Sequence, residues 1–152
     1  MAEERMTDGG TYQEILNLEH TFIEYLDNND LDQLAALFQH GALELVINGT
    51  EVAASGAGVA GARDVLSAVS RPRPEGSFGR HFVANPIVDI HEDTRTATVR
   101  FRTILYYVSP GEPLHVLGLG RHEDELCHLD GTWRITRKRI IGDVRYSPPA
   151  GT

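Results

Sequence analysis

The sequence predicts an α+β fold in which a curved, mostly antiparallel sheet wraps over N-terminal helices and encloses an internal apolar cavity. Two observations carry this. Apolar side chains recur at helical spacing before residue 70, whereas HFVANPIVDI, TATVRFRTILYYV, LHVLGLGRHEDELCHL and TWRITRKRIIGDVRY follow as four β-rich segments. Helices first and neighbouring strands afterwards pack as a helical layer on one face of a sheet, not as a doubly wound parallel fold. Long strands that curl over helices leave a hollow suited to a small molecule.

Length and composition agree. The 152 residues fit one domain, expected over 11–146 between a flexible N-terminus (1–10) and a flexible tail (147–152). Apolar residues at 41% and charged residues at 24% are globular values. The single Cys127 excludes an intrachain disulfide and any cysteine-rich zinc module. No apolar run approaches the roughly 20 residues of a membrane span. MAEERMTDGG has no signal-peptide pattern, so a cytoplasmic protein is the expectation. A net charge of −8 argues against nucleic acid and anionic membranes as partners. That charge is uneven: residues 1–45 hold ten acids and one base, while Arg134, Arg137, Lys138, Arg139 and Arg145 crowd residues 131–145. A basic strand lying on an acidic helical layer explains the split, and a small anionic ligand is the alternative.

Each element has its own signal. Thr11 to Glu14 has capping-box spacing, and Ile15, Leu18, Phe22, Ile23 and Leu26 then mark a helix over 11–27. Asn28-Asn29 stops it, and Asp30 caps a second helix with Leu31, Leu34, Ala35 and Phe38 inward. ALELVIN (42–48) reads as a strand with Gly49 as its turn, and 62–70 as a short helix halted by Pro72 and Pro74. SPGEP (109–113) and Asp130-Gly131 are the clearest turns.

Two motifs are set aside. Gly56-Ala57-Gly58-Val59-Ala60-Gly61 spells a dinucleotide fingerprint, but the prolines end the following helix early and no acid stands in 78–88, so it reads as a flexible loop into the third helix. His122, Glu123, Asp124, Glu125 and His128 form the densest group of metal-ligand types. On a strand only alternate members converge and no compact ligand signature is present, so the group reads as a solvated edge. Cys127 lies among acids, which oppose a thiolate.

Three residues suggest acid–base chemistry. Asp27 ends the first helix, where the backbone dipole disfavours a carboxylate; it is either a solvated end residue or turned inward onto a donor such as histidine. His81 opens a strand and is either a satisfied core histidine or a pocket imidazole able to exchange protons near neutrality. Of Tyr106 and Tyr107 one points inward, where its hydroxyl could polarise a carbonyl; Arg100 and Arg102 share the face of Tyr106.

EYLDNNDLDQLAALF, RHFVANPIVDI and GLGRHEDELCHLDGTWRITRKRII together resemble the SnoaL-like branch of the nuclear transport factor 2 superfamily, over residues 12–145. The resemblance implies a cone-shaped α+β barrel with a deep apolar cavity, often dimeric through the outer face of its sheet. Its members include scytalone dehydratase, bile-acid dehydratases, polyketide cyclases, steroid isomerases and non-catalytic modules. Dehydratase-like members carry an Asp at the end of the first helix and a His opening the strand after the third, the places of Asp27 in YLDNND and His81 in GRHFV. The match is incomplete. Leu26 stands where scytalone dehydratase has a tyrosine, LELVIN has no tyrosine, and Tyr106 falls near the place of that enzyme's second histidine.

The expectation is therefore a cofactor-free lyase or isomerase that dehydrates, isomerises or cyclises a small apolar carbonyl compound, such as a polyketide or steroid, through an enolate. His81 would move the proton, Asp27 would orient it, and Tyr106 would donate to the enolate oxygen. The alternatives are a dimeric binding module, in which Asp27 and His81 need not touch, and a subunit of a larger complex.

Overall fold

The computed structural model describes residues 9–47, 51–70 and 73–145. Helices α1 (Gly9–Asp27) and α2 (Leu31–Ala36) come first, then strands β1 (Ala42–Ile47) and β2 (Glu51–Ala57) and helix α3 (Gly58–Val69). Strands β3 (Phe78–His91), β4 (Thr96–Val108), β5 (His115–Leu129) and β6 (Thr132–Arg145) complete the chain. The sheet is open, in the order β2-β1-β6-β5-β4-β3, and only the β1–β6 pair is parallel. This is the predicted α+β architecture.

Phe22 and Ile23 of α1, Leu34 of α2 and Leu66 of α3 bury their side chains against Phe101 of β4 and Leu126 of β5. Turn chemistry sets the borders. Asn29 adopts φ 56, and the Asp30 carboxylate accepts from the N–H of Gln33 at 3.2 Å. Asp130 and Gly131 both have positive φ, as a two-residue turn matching the twist of β5 and β6 requires.

Three local expectations are corrected. Helix α1 begins at Gly9, so Thr11 is a buried residue inside it and not a cap. Residues 51–57 form a strand paired with β1, and α3 starts at Gly58 instead of 62. The Gly56–Gly61 string is thus a tight strand-to-helix turn, not a flexible loop. A Cβ on Gly56 would stand 2.2 Å from the carbonyl oxygen of Gly61, and Gly58 turns at φ +67. Close backbone approach explains these glycines without a nucleotide. The expected turn at Gly49, Pro72, residues 1–8 and residues 146–152 lie outside the described residues.

Register shifts bend the sheet at Leu45/Val46, Ala84/Ile87, Leu105/Tyr106, Leu119/Gly120 and Glu125/Leu126. The last has a chemical consequence: the extra residue in β6 reverses which side chains face the helices, so Lys138 joins Ile135 on the inner face while Arg137 and Arg139 face out. No helix among the described residues is long and apolar enough to cross a membrane.

Candidate active site

Strand β3 forms one edge of the sheet, so it offers backbone groups that no neighbouring strand takes. The last residue of α1 covers one of them. The N–H of His81 donates to both Asp27 carboxylate oxygens, at 3.0 and 3.2 Å, and His81 Nδ1 lies 2.6 Å from Asp27 Oδ1. Donors from one residue thereby offset the unfavourable end of the helix dipole. With Asp27 ionised the carboxylate only accepts, which assigns the proton between them to Nδ1 and the lone pair to Nε2. The side chains are 9% exposed at Asp27 and 18% at His81, so the acid is sheltered and the imidazole partly exposed. Such an arrangement can take up a proton at Nε2 and hold the resulting imidazolium against a fixed negative charge.

Tyr106 is not part of this arrangement. Pairing of His81 with Leu105 sets Leu105 and Tyr107 on the face of the dyad, and Tyr106 on the other. There its ring packs edge-on against Phe82 at 5.1 Å. It lines a hollow of about 560 Å3 with Phe78, Arg80, Phe82, Ile104 and Leu114, on the outer surface of the sheet. The parity of β4 explains the miss: Tyr106 keeps step with Arg100 and Arg102, both exposed, while Tyr107 keeps step with buried Val99 and Phe101. Hydrogen bonding to Ser109 and Ser77 lowers the Tyr107 hydroxyl from its usual value.

The segment read as a solvated edge is only half solvated. Glu123 and Glu125 face out, but His122 and Asp124 are each 2% exposed on the inner face. Lys138 extends to Asp124 Oδ2 and, at 2.5 Å, to Glu19 Oε2 of α1, with its ammonium 4.4 Å above the Phe22 ring. Burial pushes the Asp124 carboxyl well above the usual range, Lys138 opposes this, and Glu19 adds to it. Burial alone would lower the Lys138 ammonium, but the Asp124 and Glu19 carboxylates outweigh it and hold it raised. The two acids share one cation, so the cluster is neutral when Asp124 keeps its proton. A basic strand on an acidic helix is thus realised by Lys138 and Glu19. Arg137 and Arg139 instead bind Glu44, Glu123 and Glu125 on the outer face. No group of three or more metal-ligand side chains is present among the described residues.

Above this cluster His122 stacks on Phe101, with ring centroids 4.5 Å apart and planes at 22°, and its buried Nδ1 has no hydrogen-bond partner among the described residues. Burial first and the Lys138 charge second hold its imidazole well below the ordinary 6.5, and His81 adds to this when it is protonated. As pH falls through 6.5 the unfolded chain takes up a proton there that the folded chain refuses, so this contribution to stability is lost towards acid. His122→Phe is expected to flatten the pH dependence of urea-unfolding stability below 6.5, where one such group contributes up to about 1.4 kcal/mol per pH unit. Equal slopes in the two proteins would refute the assignment.

The family model described as a SnoaL-like domain matches residues 10–139. The chain belongs to this family. Solved structures share the fold at low identity. ActVI-ORFA from Streptomyces coelicolor superposes with a TM-score of 0.74 at 18% identity, covering 88% of this chain and 98% of that one. An NTF2-like protein with a cystatin-like fold from Novosphingobium aromaticivorans gives 0.65 at 16%, covering 98% and 95%. The beta subunit of a putative aromatic-ring-hydroxylating dioxygenase from the same organism gives 0.70 at 15%, covering 91% and 92%. No curated protein matches the chain in sequence.

Proposed function

We propose that this SnoaL-like protein is a cofactor-independent lyase or isomerase acting on a small, largely apolar carbonyl compound. The observation that carries the reading is the 2.6 Å contact of Asp27 with His81 Nδ1, which leaves Nε2 as a base beside a sheltered carboxylate. Nε2 removes a proton alpha to the carbonyl, and Asp27 stabilises the imidazolium. Tyr107, on this face of β4, replaces Tyr106 as donor to the enolate oxygen. The imidazolium then returns its proton to a second carbon in isomerisation, to the departing hydroxyl in dehydration, or to the new alkoxide in cyclisation. A purely binding module has no need of a carboxylate–imidazole contact, so the contact weighs against it.

All three outcomes share the first step, which is measurable before the natural substrate is known. In D2O, the protein is expected to incorporate deuterium alpha to the carbonyl of bicyclic and tricyclic aryl ketones, beginning with 1-tetralone, followed by mass spectrometry. Exchange at the buffer rate across such a panel would sink the reading.

The outer face supports a second proposal, that two copies associate through it. Phe82 and Leu114, which line the hollow, are 58% and 63% exposed, and Leu119, paired with Ile104 of its lining, is 45% exposed. Light scattering is expected to report twice the chain mass, and Phe82→Glu the single mass. A monomeric parent protein would exclude this packing.

A further inference from the structure

Helix α1 is tied to the sheet by polar contacts at two places. Asp27 binds His81 on the edge strand β3, and Glu19 binds Lys138 on β6, three positions away across the sheet. The two acids stand eight residues apart in the helix, which is about 12 Å along its axis and roughly 80° around it. One polar tie plus apolar packing would leave the helix free to slide or roll slightly. Two ties so separated fix both motions.

The inner tie is unusual in its surroundings. Glu19, Lys138 and Asp124 have side chains 1%, 0% and 0% exposed, enclosed by the Phe22 and Phe101 rings. Apolar residues of similar volume commonly give equal or greater stability at such places, so an ion cluster there calls for a reason other than stability. Fixing a register is the best attested one, because a misplaced helix would strand a buried charge. Asp124 serves this by holding Lys138 from β5, so that the ammonium cannot follow the helix if it shifts.

We propose that Lys138, held by Asp124 and gripping Glu19, is a positioning residue for the Asp27–His81 pair. The proposal deepens the proton-transfer reading given above, but it concerns the geometry of the pair and can fail independently of any activity. Its readout is the His81 Nδ1 proton, which a short bond to a carboxylate makes visible to 15N-edited NMR and slow to exchange with water.

Glu19→Leu keeps the volume and leaves Lys138 paired with Asp124. It is expected to speed solvent exchange of the His81 Nδ1 proton at least about tenfold, the loosening expected of one weakened hydrogen bond. Glu19→Gln, whose carbonyl still accepts from Lys138, is expected to restore slow exchange. Ile15→Val, one turn earlier in the same helix, loosens apolar packing alone and is expected to leave the signal as in the parent. Should Glu19→Leu not fold, the triple replacement Glu19→Leu, Asp124→Leu, Lys138→Met carries the same expectation. Parent-like exchange in the leucine variant, or equal acceleration in Ile15→Val, overturns the proposal. Loss of ketone exchange with an unchanged Nδ1 signal overturns it too, while leaving the proton-transfer reading in place.

Discussion

Replacing Lys138 by methionine is expected to cost about 3–5 kcal/mol of folding stability, the typical result of removing one partner from a buried ion cluster. Methionine fills the space, so a cavity contributes little. The loss arises because Glu19 and Asp124 then face each other with no cation within a 0–1% exposed site. Asp124 then loses the cation that opposed the upward push of burial, so it stays buried by holding a proton more tightly than the unfolded chain does. A carboxyl with a raised folded pKa contributes stability that is present at low pH and lost as pH rises. The gap between Lys138→Met and the parent protein is therefore expected to be smaller at pH 5 than at pH 8, by urea unfolding. Replacing all three charged residues with apolar ones is expected to recover most of the loss, because no buried group is then left unpaired. A single variant within about 1 kcal/mol of the parent at pH 8 would show that the cluster is not energetically coupled.

The same cluster shows where the sequence was legible and where it was not. Apolar spacing in α1 announced a helix, and Asp27 and His81 were found because each ends or opens an element at a place where a polar side chain needs explaining. Strand parity in β4 was also legible: it groups Tyr106 with the exposed Arg100 and Arg102 and sets Tyr107 in step with the inward residues. Lys138 was hidden for a physical reason. Counting by twos from Trp133 and Ile135 puts Arg137 inside, and only the extra residue at Thr136, whose hydroxyl donates to Glu125 O at 2.9 Å, turns Lys138 inward. Bulges are set by local hydrogen bonds that composition does not reveal. Glu19 shares the inner face with Phe22 and Ile23 at i+3 and i+4, so its helical position was readable, but its partner was not. His122 and Asp124 failed for a different reason: a run of charged letters suggests solvent, whereas alternation alone assigns half of them to the core.

Asp27→Asn is expected to reduce ketone exchange about 10²–10⁴-fold while leaving stability within about 1 kcal/mol of the parent. The asparagine carbonyl can still accept the N–H of His81, which keeps the end of α1 on β3. Its amide, however, donates where the carboxylate accepted. Nδ1 must then become the acceptor, the ring proton moves to Nε2, and the lone pair that should meet the substrate disappears. The imidazolium, if formed, also loses the carboxylate 2.6 Å away that stabilised it. His81→Gln is expected to lose at least as much, because no titrating group remains on that face at the position. Tyr106→Phe is expected to stay within about twofold of the parent, since removing a hydroxyl on the opposite face touches neither the base nor the developing charge. Tyr107→Phe should slow exchange without altering the His81 ring signals, which separates loss of an enolate donor from loss of the base. If Asp27→Asn retains full exchange with its ring proton shown by 15N NMR to lie on Nε2, proton removal does not pass through His81, and the reaction assigned to this face of the sheet falls with it.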